Sequence, residues 1–385
     1  MNNTVKLLRI ISTLDPKFGG PSRAIIDNSL YLQSKGIIVD IVTNDLADTK
    51  FYKDKKIKVI NVGSKYFPKS FNPLLFFWIL KNRHNYNKFV VHGIWEFNTI
   101  VAKLLLKKNY FVFTHGQLDP YFKNEKINIL KKKIYWFFIE KRNLLNSRSL
   151  LLTSINEKRL LNNTFVNTTG IKKTVVEYGI NKPKFDNNKL RKQFNRKFKF
   201  LRNKRFFLFL GRFHKKKGCE ILLNSVQRLF RNNKNFFLLM AGPPSNYKSS
   251  LIKMSKRLGI DRNIIWSNFL KNDLKFAAIV KSDAMVLSSH GENFGISIIE
   301  SLSMGRPVLI TNKVNISHYI KKTNSGLISN NTVKDYHRIL SNFINLSRKS
   351  KKKMSKNAFY CYIKYFNLIN SNNKFISMLK KKNKV

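Results

Sequence analysis

Acidic residues are scarce in this chain: 20 Asp and Glu stand against 74 Lys and Arg in 385 residues, a net charge of +54. Such an excess draws polyanions, whether nucleic acid, anionic lipid or phosphorylated substrates. Lys, Asn, Ile and Phe are abundant along the whole length, as an AT-rich coding sequence also produces without selection for binding, so both origins of the charge stay open. Cysteine is nearly absent. Cys219 and Cys361 are too few for a disulfide scaffold, fit a reducing cytosol and lack metal-ligand spacing. No long apolar run exists: Leu74–Leu80 is far short of the ~20 residues that span a bilayer, and Leu7–Ile11 is too short for the core of a signal peptide. The expectation is a cytoplasmic protein, soluble or peripheral on the inner face of the plasma membrane. Also missing are an Asp-x-Asp pair, His-Glu-x-x-His, Gly-x-Ser-x-Gly and a Walker loop, which removes the metal–diphosphate clamp, zinc hydrolysis, the nucleophile elbow and the P-loop. No metal and no cofactor is called for.

What is present is ample core material, 43% hydrophobic and 13% aromatic, in a chain long enough for two domains. Apolar runs alternate with amphipathic stretches, which reads as α/β with parallel sheets. Strands are expected at 5–12, 37–43, 57–62, 89–92, 110–114, 149–153 and 174–178, then at 206–210, 236–240, 264–266 and 284–287. Between the two series, 183–205 is polar and basic without a clear period and reads as a linker with a short helix. The division is therefore 1–182, a Rossmann-like first domain; 183–205, a basic linker; 206–365, a second Rossmann-like domain; and 366–385, a basic C-terminal helix or tail.

The most informative stretch is Ser289-His290-Gly291-Glu292-Asn293-Phe294-Gly295-Ile296-Ser297-Ile298-Ile299-Glu300. It follows an apolar run and opens a helix that Gly305 and Pro307 end. A strand, a glycine turn and a helix start bring free N–H groups and a positive dipole end to one point, a seat for phosphate. Glu292 and Glu300 bracket that seat, and hydroxyl-binding acids beside a diphosphate seat suit a nucleotide-sugar. Earlier, Gly211-Arg212-Phe213-His214-Lys215-Lys216-Lys217-Gly218 follows a strand, so Arg212 and Lys217 can point at one anion across a tight loop; alone it would read as a basic surface turn. Gly19-Gly20-Pro21 opens the first helix and allows close approach to a phosphate, or is only turn geometry. His115, before Gly116, sits at a strand end rather than on an apolar face. Residues 126–139 join Lys131-Lys132-Lys133 to Ile134-Tyr135-Trp136-Phe137-Phe138, either an anionic-membrane contact or an ordinary helix with its inner face in the core.

In their order these segments resemble the retaining family-4 glycosyltransferases (group 1 glycosyl transferases) of the GT-B fold, over nearly the whole chain. The resemblance rests on the Gly-Gly-Pro loop, His115-Gly116, the Gly211–Gly218 loop and Ala241-Gly242-Pro243. It continues through Leu258-Gly259-Ile260-Asp261-Arg262, Glu292-Asn293-Phe294-Gly295 through Glu300, and Gly305-Arg306-Pro307-Val308. It implies two facing Rossmann-like domains with a deep interdomain cleft, the first for the acceptor and the second for the nucleotide-sugar, with the last helix crossing back to the first domain. It further implies that Arg212 and Lys217 neutralise the departing diphosphate, Glu300 binds ribose hydroxyls and Glu292 the donor sugar. Asn293, Phe294 and Gly295 would lie at the sugar and phosphate, with Gly211 and Gly242 in the donor-binding loops. His115 would contact the sugar near the reacting carbon, and Gly19 and Gly20 the phosphate or acceptor. Two positions depart from the family pattern: Glu177-Tyr178-Gly179 stands where proline-asparagine-glycine is common, and Asn268 where glycine often follows the strand.

The expected function is transfer of a hexosyl unit from a nucleoside-diphosphate sugar to a hydroxyl of a surface polysaccharide or lipid-linked glycan, with retention and without metal. Partners would be the sugar nucleotide, the glycan or lipid-linked acceptor and an anionic membrane surface. The rival is a polybasic nucleic-acid- or membrane-binding protein with a vestigial cleft. No aromatic-basic recognition module supports nucleic acid as a partner. A nucleotide-sugar epimerase on the same fold fits the acidic pair and basic loop less well.

Overall fold

The computed structural model describes residues 4–16, 20–49, 51, 56–124, 126–182, 185–232 and 235–381. The chain divides into two compact units, Met1–Gly179 with Ser371–Val385, and Ile180–Asn370.

The first unit holds seven parallel strands: β1 (Lys6–Ile11), β2 (Ile38–Leu46), β3 (Lys58–Gly63), β4 (Lys88–His92), β5 (Tyr110–Phe113), β6 (Ser149–Leu152) and β7 (Lys173–Val175). Their order in the sheet is β3-β2-β1-β4-β5-β6-β7. Inner strands such as β4, β5 and β6 are buried along their whole length, so they read as continuous apolar runs rather than alternating ones. The core above them gathers Leu8, Ile10, Val91, Val101, Val112 and Leu150. Strand order reverses between β1 and β4, and loops leaving these strands at their C-terminal ends form the crevice where such sheets bind ligands.

The second unit repeats the plan with six strands: β8 (Arg205–Leu210), β9 (Phe236–Ala241), β10 (Ile264–Ser267), β11 (Ala284–Leu287), β12 (Val308–Thr311) and β13 (Gly326–Ser329). Their order is β10-β9-β8-β11-β12-β13, all pairs parallel. The reversal here lies between β8 and β11. On one flank the amphipathic helices Cys219–Asn232 and Val333–Asn345 pack together. Both cysteines are buried and unpaired.

Three expectations need correction. The short helix expected within 183–205 is present as Asn187–Lys197, but it is no linker: it belongs to the second unit and packs on the helix Asn272–Lys281. Leu190 and Phe194, one helical turn apart, are buried, and Phe194 stacks on Phe206 at 5.4 Å between centroids. Two apolar residues among so many Lys, Arg and Asn do not stand out as a period. The boundaries also shift, to Gly179/Ile180 and Asn370/Ser371. From Ser371 the chain groups with the first unit, where Phe375 meets the Phe113 ring at 6.0 Å. Finally, β12 and β13 went unanticipated, being four-residue strands behind the Gly305–Pro307 turn and the Asn324 turn.

Candidate active site

Apart from Glu300, which lies within a helix, each expected donor-binding residue of the second unit sits on a loop that leaves a strand at its C-terminal end. The loop after β8 carries Gly211, Arg212 and Lys217; the loop after β11 carries Glu292, Asn293, Phe294 and Gly295. Because β8 and β11 are neighbours in the sheet, these loops meet although 75 residues separate Lys217 from Glu292. Lys217 Nζ forms an ion pair with Glu292 Oε2, both side chains mostly buried at 20% and 15% exposure. The backbones are stitched as well: His290 N–H donates to Lys216 O at 2.9 Å, and Ser288 Oγ donates to Gly218 O at 2.7 Å. Gly218 is left-handed at φ +60°, and a methyl group added there would overlap the Ser288 carbonyl oxygen. The close approach that seats Lys217 therefore requires glycine.

Burial by itself would raise the Glu292 carboxyl, but Lys217, with Lys216 and Arg212, outweighs it and holds the pKa below the usual value. Glu292 is thus an anion within the field of three cations. Arg212 is exposed and has no ion-pair partner among the described residues. On its other side the acidic loop is fastened to the segment after β12: Glu292 N–H donates to Lys313 O at 3.1 Å, and Asn315 N–H to Glu292 O at 2.9 Å. Asn293 Oδ1 accepts from Asn315 Nδ2 at 3.2 Å.

Gly295, at φ +68°, is the N-cap of the helix Ile296–Ser303. Its carbonyl accepts from Ile298 N–H at 2.8 Å, so the N–H groups of Ile296 and Ser297 precede the first bond inside the helix. The Phe294 ring packs edge-on to Phe366 at 6.0 Å, which makes its side chain core and leaves its backbone to the site. Glu300 is buried one turn further in, and its Oε1 is ion-paired with Lys275 of the helix Asn272–Lys281. Sequence reasoning missed Lys275: one lysine among 74 basic residues carries no signal of the acid it will meet. Gly242 follows β9, and a side chain there would overlap Gly211 O and crowd Phe213, so this position also needs glycine. Beyond β10 lies an open groove of ≈ 500 Å³ lined by Phe198, Trp266, Asn268 and Phe269.

His115 and Gly20 belong to the first unit. Gly20 is the N-cap of the helix Pro21–Gln33, and its carbonyl accepts from Ala24 N–H at 3.2 Å. Gly19 lies outside the described residues. His115 follows β5 in a left-handed conformation at φ +48°, uncommon for a residue with a side chain. A buried carboxylate braces this turn. Glu157 accepts from Thr114 Oγ1 at 2.8 Å and Gly116 N–H at 3.2 Å on one oxygen, and from Thr153 N–H at 2.6 Å on the other. Glu157 was not foreseen, since nothing near position 157 in the sequence announces a partner on another strand.

With this geometry in hand, residues 191–359 match the family of group 1 glycosyl transferases. The matched stretch contains the paired loops, the Gly295 helix and Glu300. Over 165 residues the chain is 26% identical to an uncharacterized glycosyltransferase of Methanocaldococcus jannaschii, a match that spans 42% of each chain. It is 23% identical to an alpha-1,3/1,6-mannosyltransferase of Dictyostelium discoideum, over 88% of this chain and 90% of that one. Among solved structures it resembles HepE of Anabaena in complex with UDP and glucose, with a TM-score of 0.75, 14% identity and coverage of 97% of this chain and 99% of that one. The fold is GT-B.

Proposed function

We propose that the protein is a retaining glycosyltransferase, moving a hexosyl unit from a nucleoside-diphosphate sugar to a hydroxyl of a surface polysaccharide or lipid-linked glycan. The observation that carries this reading is the Lys217–Glu292 pair beside the Gly295 helix start, at the strand-order reversal of a group 1 glycosyl transferase domain. Negative charge grows on the diphosphate as the sugar becomes oxocarbenium-like. Arg212 and Lys217 neutralise that charge, helped by the first N–H groups of the helix Ile296–Ser303. Preorganised groups of this kind contribute roughly 3–4 kcal/mol each. Lys217 exchanges its carboxylate partner for phosphate, and Glu292 turns to hydroxyls of the donor sugar. Glu300 holds the ribose, Asn293, Phe294 and Gly295 lie along the sugar and phosphate, and Gly211 and Gly242 let the backbone close on the nucleotide. In the first unit His115 contacts the donor sugar, and Gly19 and Gly20 line the phosphate or acceptor. The departing phosphate oxygen takes the acceptor's proton, so no covalent nucleophile and no metal is assigned a role.

A membrane-borne acceptor is consistent with the surface of the first unit. Leu130, Ile134, Phe137 and Phe138 are all more than half exposed, beside Lys131, Lys132 and Lys133. Aromatic rings and lysines together suit an anionic lipid surface. Among the described residues no helix is long and apolar enough to cross a membrane.

The test is a panel of UDP-, GDP- and ADP-sugars, scored by thermal shift and by release of nucleoside diphosphate. The anomeric configuration of the transferred sugar is then read by NMR. One donor class should raise the melting temperature and be turned over with retention. Absence of any shift or turnover across the panel would overturn the reading, and an inverted product would overturn the mechanism alone.

A further inference from the structure

The least expected group in the first unit is Arg9, in the middle of β1 and fully buried. It has no ion-pair partner among the described residues. Its Nη2 donates to Asn28 Oδ1, whose amide in turn donates to Asn372 Oδ1. The guanidinium carbon stands 5.6 Å from the centre of the Phe375 ring. Nη1 lies 3.3 Å from His92 Nε2, and His92 Nδ1 lies 3.0 Å from His115 Nε2. Three groups, on β1, at the end of β4 and just past β5, thus form one continuous chain. A cation buried without a carboxylate gives up its hydration with no ion pair in return, so the chain is costly to keep.

We infer that Arg9 is a positioning residue, which through His92 fixes His115 as the Nδ1–H tautomer. Donor and acceptor capacity alone decides the tautomers. A guanidinium can donate but never accept, so His92 Nε2 must accept. A neutral imidazole with a bare Nε2 carries its proton on Nδ1, and that proton is donated to His115 Nε2. His115 Nε2 is then itself bare and occupied, so its single proton sits on Nδ1. The polarity runs one way along the chain because its first member has only one. The helix Leu368–Lys380 completes the seat through Asn372 and Phe375, so a segment distant in sequence holds the arginine in place.

The electrostatics agree. Burial draws the Arg9 pKa down only to about 10, which leaves it charged at neutral pH. Burial, then Arg9, presses His115 down to about 4, and burial, Arg9 and His115 all lower His92. Both rings are neutral, as the relay demands.

The consequence rests on the reading above, in which His115 touches the donor sugar. Its one remaining ring nitrogen is then an Nδ1–H that donates a hydrogen bond to a sugar oxygen. His115 does not act as a general base, because the lone pair a base would use is engaged by His92.

The test is ring-nitrogen NMR on the full chain labelled with 15N-histidine, at pH 7. His92 and His115 should each show a protonated Nδ1 and a bare Nε2. In Arg9→Met both signatures should change together, toward the Nε2–H form that histidine favours in water. Arg9→Lys, which keeps a donor-only cation, should retain the wild-type signature if it reaches His92. A wild-type His115 found as Nε2–H or as imidazolium overturns the inference without any variant, even if Arg9→Met fails to fold. So does a His115 spectrum unmoved in a folded Arg9→Met. The expected tautomers without transfer activity would sink the functional reading alone, and transfer activity with the opposite tautomer would sink the relay alone. With an active donor, Arg9→Met should lower kcat at least tenfold while donor KM stays within threefold.

Discussion

Replacing Glu140 with Gln should change how stability depends on pH, by an amount the surroundings of this carboxyl fix. Glu140 ends the π-helical turn Trp136–Glu140 and is fully buried. One oxygen is bonded to Thr99 Oγ1 at 3.0 Å, and the other has no hydrogen-bond partner. Burial pushes its pKa from 4.5 up to about 8; hydrogen bonds from Thr99, the Trp95 backbone and Asn143 oppose the shift, and nearby Glu96 adds to it. The folded protein therefore keeps a proton that the unfolded chain releases. The stability this provides is complete below the unfolded pKa and is lost as pH rises through the folded one. Between those limits it falls by about 1.4 kcal/mol per pH unit, a loss of about 3 kcal/mol by pH 7. Glutamine keeps the shape and cannot ionise. Urea unfolding followed by tryptophan fluorescence at pH 5, 6, 7 and 8 suits the question, because Trp78, Trp95 and Trp136 all lie in the first unit. Relative to wild type, Glu140→Gln should gain stability steadily from pH 5 to 7 and level off near 8. Parallel curves for the two proteins would refute the assignment of a neutral, buried carboxylic acid.

Lys217→Ala should lower turnover of the accepted donor at least tenfold, since one preorganised cation is worth roughly 3 kcal/mol; turnover near wild type would remove Lys217 from the chemistry. Gly218→Ala puts a side chain at φ +60° against the Ser288 carbonyl and should cost about 2 kcal/mol or more, seen as a lower melting temperature. An unchanged melting temperature would mean the two loops are not locked as described. Lys131→Gln, Lys132→Gln and Lys133→Gln combined should abolish cosedimentation with phosphatidylserine vesicles, and binding that persists would dismiss this patch as a lipid contact.

Much of this was legible in the residues. Apolar runs such as Leu208–Leu210 and Leu238–Met240 have no polar face, so they had to be inner strands of parallel sheets, and the stretches between them had to be crossovers. Glycine-framed turns at Gly211–Gly218 and Gly291–Gly295 marked where backbone comes close to something, and the structure gives Gly218 and Gly295 the positive φ that explains their glycines. That the short helix Asn187–Lys197 packs into the second unit rather than serving as a linker was not legible, because two buried residues in a run of Lys, Arg and Asn carry almost no periodic signal.

Local sequence thus determined most of the secondary structure, the doubling of the α/β plan and the candidate cationic and acidic loops. It did so because helix and strand periods and glycine conformations are properties of neighbouring residues. Which charges meet was decided only by the fold. Strand order brings β8 beside β11, and so Lys217 to Glu292; packing of separate helices gives Lys275 to Glu300; and parallel strands side by side align Arg9, His92 and His115. Partners that far apart along the chain leave no mark on each other's surroundings in sequence. Their pairing follows from the closure of the sheets.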